Sequence, residues 1–298
     1  MSATFGSTGD VTAGLTHGLT AGLTGTAVAW RPAVADLVAE LADGGHLHFT
    51  EVVAENVHLP AVDPRLVALA ARGTVVVPHG VSLGLAGAGR PDPARLRRLA
   101  ELATHFGSPL VSEHVAFVRA ADSPDTMHGD VLEAEHLLPP PRTRDSLAVL
   151  ADNIAIARDQ LPVPLAVENI AAVMSWPEDE LSEPEFLTEL VELTDVGIVL
   201  DVANLYASAT ARGSDPHADL HRFPLHRIAY VHVAGGRWDS GFYLDTHADP
   251  VLRAVADLLT DLAETVAPQA PGVLLERDDN LSAEAVRADL AVVNGALV

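Results

Sequence analysis

Six short apolar runs in this 298-residue chain each end on a side chain that can hold a metal ion. Val75-Val76-Val77-Pro78 leads to His79, and Leu110-Val111-Ser112-Glu113 leads to His114. Leu165-Ala166-Val167 ends on Glu168, and Ile198-Val199-Leu200 on Asp201. Ala229-Tyr230-Val231 ends on His232, and Val273-Leu274-Leu275 on Glu276. A carboxylate at the end of a buried strand is costly unless it is paired or bound to a cation. Each residue alone has a plain explanation, a hydrogen bond to a neighbour. Three histidines and three acids gathered together would crowd like charges unless cations sit among them. Mixed imidazole and carboxylate ligation suits iron, manganese or zinc.

A second tier of polar residues sits near the same strand ends: Glu51, Glu55, Asn56, Asn204, Asp245, His247 and Asp278. Alternate residues of an extended segment point the same way, so Asp245 and His247 are placed to face one mouth. Their loop carries Trp238, Phe242 and Tyr243, which either line a substrate slot or pack the loop. The glycine-rich stretch from Gly80 to Gly87, which contains Ser82, is either an anion cradle built of backbone amides or a tight turn. His217 and His221 have helical i, i+4 spacing but lack the Glu of a His-Glu-x-x-His site, so they read as a solvated face. His105, His128 and His136 carry no local signal.

These side chains need strands to deliver them, and the chain supplies eight, alternating with helices. The strands read as 27–30, 47–55, 74–78, 110–114, 165–168, 197–200, 228–233 and 272–275. The helices read as 32–41, 64–71, 93–106, 143–160, 184–193, 250–265 and 282–293, with a short helical turn near 212–219. Short doubly apolar strands between amphipathic helices predict a (β/α)₈ TIM barrel, an α/β fold in a single domain over 27–298. An open doubly wound sheet is the alternative, but it would gather ligands at one crevice and not from most strands. Residues 1–26, rich in Gly and Thr with a local Gly-Leu-Thr repeat, read as a flexible arm.

Composition narrows the chemistry. The formal charge is 18 − 41 = −23, which disfavours nucleic acid as a partner. Cysteine is absent and every basic residue is arginine, which removes thiol nucleophiles, iron–sulfur clusters and lysine Schiff bases. No apolar run reaches the length of a membrane span, and the start lacks the basic and apolar regions of a secretory signal, so the expectation is a cytoplasmic protein.

Taken together, these motifs resemble those of the multinuclear non-heme iron-dependent oxidative enzymes, whose best-known member acts in methanobactin biosynthesis. The matching pieces are Glu51-Val52-Val53-Ala54-Glu55-Asn56, Pro78-His79-Gly80-Val81-Ser82-Leu83, Ser112-Glu113-His114 and Val167-Glu168-Asn169-Ile170. Leu200-Asp201-Val202-Ala203-Asn204-Leu205-Tyr206, Val231-His232-Val233-Ala234-Gly235, Asp245-Thr246-His247 and Leu275-Glu276-Arg277-Asp278 complete them. The resemblance spans residues 27 to 290 and implies a TIM barrel holding two or three irons in mixed Fe(II)/Fe(III) states. It implies that His79 and His114 bind one iron, that Glu168 bridges, and that Asp201 or Asn204, His232, Asp245, His247 and Glu276 hold the others. Glu168, Asp201, Asn204 and His232 would be the catalytic set, and Glu55, Asn56, Ser82, Trp238 and Tyr243 would meet the substrate. It implies dioxygen as cosubstrate and oxidative modification of a Cys, Asp or Asn side chain in a ribosomally made precursor peptide, often with a separate protein that captures the peptide's leader.

The chain departs from that pattern twice. The family often carries His-x-Ala-Gly-His, and the last position here is Gly236. Asp-x-Asn-Asn is commoner where this chain has Asp201-Val202-Ala203-Asn204. Two other readings stand beside the oxidase: a divalent-metal isomerase or endonuclease barrel, which the missing lysine and the negative charge oppose respectively, and a non-catalytic metal-binding scaffold.

Overall fold

A computed structural model describes residues 22–121, 131–268 and 270–298. In chain order they form β1 (Thr26–Ala29), α1 (Ala35–Asp43), β2 (Phe49–Val53), α2 (Pro64–Ala71), β3 (Val75–Gly80), α3 (Pro93–Phe106) and β4 (Val111–His114). Then come β5 (Phe117–Ala121), β6 (Val131–Leu138), α4 (Arg144–Gln160), β7 (Leu165–Glu168), α5 (Glu183–Thr194), β8 (Gly197–Asp201), α6 (Val202–Arg212) and α7 (Pro216–Leu220). The last elements are β9 (Ile228–Ala234), β10 (Arg237–Asp239), β11 (Phe242–Leu244), α8 (Arg253–Val266), β12 (Val273–Glu276) and α9 (Ala283–Ala296).

Eight strands close into a parallel barrel in the order β1-β12-β9-β8-β7-β4-β3-β2, the TIM-barrel arrangement expected from the sequence. Most of the helices, though not α1 or α8, begin at side-chain caps: Asp92 accepts from Ala94 N, Thr143 from Ser146 N, and Ser182 forms a full capping box with Glu185. The two-residue period of each strand then sorts its side chains into a layer against the helices and a layer inside the barrel. The interior layer contains Ala27, Phe49, Val77, Leu110, Ala166, Val199, Tyr230 and Leu274. Glu51, His79, Glu168, Asp201, His232 and Glu276 each stand two residues further along the same strands as Phe49, Val77, Ala166, Val199, Tyr230 and Leu274. The apolar plug therefore lies directly beneath a polar mouth.

Residues 1–21 of the expected arm, including most of the Gly-Leu-Thr repeat, lie outside the described residues. Leu23 N donates to Ala229 O at 2.9 Å and Leu23 O accepts from Gly272 N at 2.5 Å. Its side chain packs against the interior cluster, at the N-terminal end of the strands.

The barrel strands fall within two residues of the expected bounds. Three insertions do not. The stretch after Asp201 is the helix α6, capped by Asp201 itself through a bond from Asn204 N to Oδ1. No turn residue separates strand from helix, so the sequence pattern does not announce it. The antiparallel hairpins β5–β6 and β10–β11 also depart from the expectation. They rise from loops and carry no long apolar run to mark them.

Candidate metal centre

The barrel mouth brings two groups of ligand atoms together, each with all its atoms within 4.8 Å of one another. His79, His114 and Glu168 form the first; Glu168, Asp201, His232 and Glu276 form the second. All six residues are buried. Glu168 belongs to both because its two oxygens face opposite ways. Oε2 lies 3.5 Å from His79 Nε2 and 3.5 Å from His114 Nε2. Oε1 lies 3.2 Å from His232 Nδ1, which is in turn 3.3 Å from Glu276 Oε2. A carboxylate so placed can span two cations.

Each histidine has its other ring nitrogen occupied, which fixes which nitrogen faces the mouth. His114 Nδ1 lies 3.2 Å from Gly80 O. His79 Nδ1 is 2.8 Å from Ser112 Oγ, and His232 Nε2 is 3.1 Å from Glu51 Oε2. Asn169 locks the neighbouring strand end. Its Oδ1 accepts from Asp201 N at 2.9 Å and its Nδ2 donates to Asp201 O at 3.0 Å. Asn204 Nδ2 donates to Asn169 O at 3.0 Å while its side chain also lines the mouth.

Four buried polar atoms around this cluster lack any hydrogen-bond partner: Glu168 Oε2, Asp201 Oδ2, His232 Nδ1 and Asp245 Oδ1. Buried polar atoms are ordinarily satisfied, so unpartnered atoms in both ligand groups and on the adjoining Asp245 are what sites able to take cations would leave. The electrostatics agree. Burial pulls the His114 imidazole down, but Glu168 and Glu113 more than reverse it, raising its pKa from 6.5 to about 9. His232 is pushed up in the same way by Glu168 and Glu51 against its burial. Burial, Asp245 and Glu168 together push the Asp201 carboxyl well above its usual range. Among the described residues no arginine lies within 4.0 Å of Glu51, Glu168, Asp201 or Asp245; Arg31 reaches only Glu276, at 4.0 Å, and Asp278, at 2.6 Å. Without a metal, protonated His114 and His232 balance part of this charge; metal-binding histidines are neutral, so a bound cation would take over that role.

Asp245 and His247 stand beside the second group. His247 Nε2 is 2.6 Å from Asp245 Oδ2, and its Nδ1 is 3.0 Å from Asp278 Oδ2. The pair faces one mouth, but not through simple alternation: His247 has φ +52°, a left-handed backbone that a non-glycine residue holds only under constraint.

The residues expected to meet substrate separate. Glu55 and Ser82 bind each other, Ser82 Oγ donating to Glu55 Oε1, and line a neighbouring cavity with Arg95 and Arg98. Asn56 lines a third cavity beside the mouth. Tyr243 is buried, edge-on to Tyr206 at 5.0 Å and to Trp238 at 6.0 Å, while Trp238 is half exposed. The aromatics thus both pack the hairpin and present one face outward. The glycine-rich stretch does use its amides on anions, but the anions are the protein's own: Val81 N donates to Glu55 and Leu83 N to Glu113 Oε2. A Cβ at Gly80 would stand 2.6 Å from Glu113 Oε2, so any other residue there would have to displace the carboxylate that Leu83 N holds. A Cβ at Gly236 would meet Leu244 O at 2.3 Å and the Tyr243 ring at 2.7 Å, so the β10–β11 hairpin fills the room a histidine would need.

Sequence reading gave no role to Ser112, Asn169, Tyr230, Arg31 or Arg277. Ser112 and Tyr230 each lie two residues before a histidine of the mouth, and that inward-facing spacing was the available signal.

Half-exposed His217 and His221 flank Asp261 at 2.7 and 3.2 Å. Such an exposed ion pair contributes about 0–1 kcal/mol. His217→Ala is therefore expected to leave the bound-metal content at the wild-type value, measured by elemental analysis of the purified protein; a loss of metal would relocate the site.

The fold and this mouth define a TIM-barrel protein with a cluster of metal-ligand side chains at the C-terminal ends of its strands. Residues 25–296 match the family model described as RiPP precursor modification enzyme MbnB/TglH/ChrH, and the chain belongs to that family. A UPF0276 protein of Streptomyces avermitilis is 54% identical over 259 residues, covering 86% of this chain and 51% of the relative, so the chain spans about half the length of that protein. A UPF0276 protein of Caulobacter vibrioides is 36% identical over 239 residues, covering 78% of this chain and 80% of the relative. Among solved structures, endonuclease IV from Thermus thermophilus superposes with a TM-score of 0.56 at 20% identity, covering 92% of this chain and 99% of its own. The IOLI protein with a binding zinc atom does so with a TM-score of 0.57 at 17% identity, covering 92% and 98%. These two likenesses show the fold alone. No helix among the described residues is long and apolar enough to cross a membrane.

Proposed function

We propose that this chain is an iron-dependent, dioxygen-using oxidase that modifies a Cys, Asp or Asn side chain of a ribosomally made precursor peptide. The observation that carries the reading is Glu168, buried with one oxygen toward His79 and His114 and the other toward His232. Two irons, with a third beside Asp245 and His247, fit this donor set of imidazoles and carboxylates. Bound iron would supply dioxygen activation and accept electrons from the substrate side chain. The protein's own share is orientation, exclusion of water and charge balance. The chain has no cysteine or lysine nucleophile, and none is needed.

A peptide substrate is favoured by the shape around the mouth. The metal-facing cavity, about 360 Å³, shares Arg31 and Val53 with an adjoining cavity of about 700 Å³ lined by Trp30, Asn56, Val57 and Leu66. A sugar would need only the first; an extended peptide would use both, with residues flanking the modified one in the second. A separate leader-capturing protein belongs to the same reading.

The test is anaerobic purification followed by iron analysis and Mössbauer spectroscopy, then oxygen uptake with the peptide encoded beside the gene. Two or three irons per chain and peptide-dependent uptake are expected. A single zinc or manganese with no uptake would replace the oxidase by a divalent-metal isomerase, and a chain that binds no metal at all would leave a scaffold.

A further inference from the structure

Beneath the mouth, five buried side chains form one continuous hydrogen-bonded row across the barrel interior. His79 Nδ1 is 2.8 Å from Ser112 Oγ, which is 2.7 Å from Tyr230 Oη. The Tyr230 hydroxyl donates to Glu51 Oε2, and His232 Nε2 lies 3.1 Å from the same oxygen. All five are buried, with Ser112, Tyr230 and His232 fully so. Tyr230 starts on β9 and reaches Ser112 on β4 and Glu51 on β2, neither of which neighbours β9 in the sheet.

The row has one permitted direction. An ionised carboxylate only accepts, so Glu51 takes hydrogen bonds from both Tyr230 and His232. With its hydrogen spent on Glu51, the Tyr230 oxygen can only accept from Ser112. The Ser112 hydrogen is then spent as well, so Ser112 accepts from Nδ1–H of His79. In the neutral imidazoles that ligate a metal, the outcome is a lone pair at His79 Nε2 and another at His232 Nδ1. These are the two ring atoms that face opposite oxygens of Glu168.

We propose that Ser112, Tyr230 and Glu51 are positioning residues through which one carboxylate sets the ligating nitrogen of histidines in two different metal positions. Glu51 acts on His232 directly and on His79 through two hydroxyls. Outer partners of this kind are worth about 10–100-fold in metal affinity. The inference rests on the metal-centre reading above but not on the oxidase chemistry.

Breaking the row at the tyrosine separates the two arms. In Tyr230→Phe, Ser112 loses its acceptor and is free to turn its hydrogen onto His79 Nδ1, which moves the imidazole proton to Nε2, against the first metal position. His232 keeps Glu51. Titration of the metal-free protein with Co(II), followed by its visible absorption and by calorimetry, reads the two positions without any turnover. Wild type is expected to bind at least two Co(II). Tyr230→Phe and Ser112→Ala are expected to weaken one position about 10–100-fold and leave the other unchanged. Ser112→Thr, which keeps the hydroxyl, is expected to bind as wild type does. A purely packing role would weaken both positions together or neither, and either result in the soluble variants would overturn the proposal; should Tyr230→Phe not fold, the Ser112 pair decides it. If wild type bound no Co(II), the metal-centre reading would fall together with the relay. Normal wild-type binding with unselective variants would sink the relay alone.

Discussion

Glu168→Gln is expected to reduce bound metal from two or more ions per chain to one or none and to abolish peptide-dependent oxygen uptake. The amide keeps the shape of the side chain but replaces one oxygen with a nitrogen that has no lone pair to offer. Whichever way it turns, one of the two ligand groups loses its shared donor. If the oxygen stays with His79 and His114, the –NH₂ faces His232 Nδ1 and donates to the lone pair a metal would use. If it turns, the –NH₂ faces Nε2 of both His79 and His114. On the proposed reading Glu168 is a direct ligand, so the loss should exceed the 10–100-fold typical of an outer partner. Anaerobic iron loading, elemental analysis and an oxygen electrode measure it. Wild-type iron content with full uptake would show that Glu168 does not bridge.

The place of Glu168 at the mouth is legible in the sequence through periodicity, while its bridging role is what the family resemblance implies. A parallel barrel strand is apolar on both faces until it emerges at the mouth. The switch from Val-Val-Val-Pro to His79, or from Leu-Ala-Val to Glu168, therefore marks both the strand end and the inward direction of its last side chain. The row beneath was not legible. Ser112 and Tyr230 are separated by 118 positions and meet only because β4 and β9 face each other across a closed interior. A lone Ser or Tyr inside an apolar run has no partner visible from its own neighbourhood. The hidden helix α6 failed for a different reason. Asp201 serves at once as strand end, helix cap and metal-facing acid, with Oδ1 on Asn204 N and Oδ2 left to the mouth. Three roles in one residue leave no separate signal for the turn. Gly236 had a local explanation that only the hairpin reveals, since β11 lies where a longer side chain would go.

Arg277→Ala is expected to cost about 3–5 kcal/mol, the range for stripping one partner from a buried ion pair, and to loosen the loop that carries Asp245 and His247. Arg277 and Asp289 are both buried, 2.5 Å apart. The guanidinium also donates to Asp249 O at 3.2 Å, Ala248 O at 3.0 Å and Asn280 O at 3.2 Å. Two of those carbonyls belong to the residues that follow His247, so one side chain both neutralises a buried acid and clamps the strained turn beside the metal centre. For a chain of this size the loss should lower the melting temperature by about 5–8 °C. Arg277→Met combined with Asp289→Leu separates the two roles. Removing both charges should recover part of the loss, since a buried pair replaced by apolar residues is often neutral, although Val251 N then loses its Asp289 Oδ1 acceptor. The carbonyls of Ala248 and Asn280 would still lack the donors that hold the turn. Calorimetric melting paired with Co(II) titration therefore distinguishes them: the double variant should melt above Arg277→Ala yet bind fewer ions than wild type, and wild-type binding by that variant would show that the clamp contributes nothing to the site.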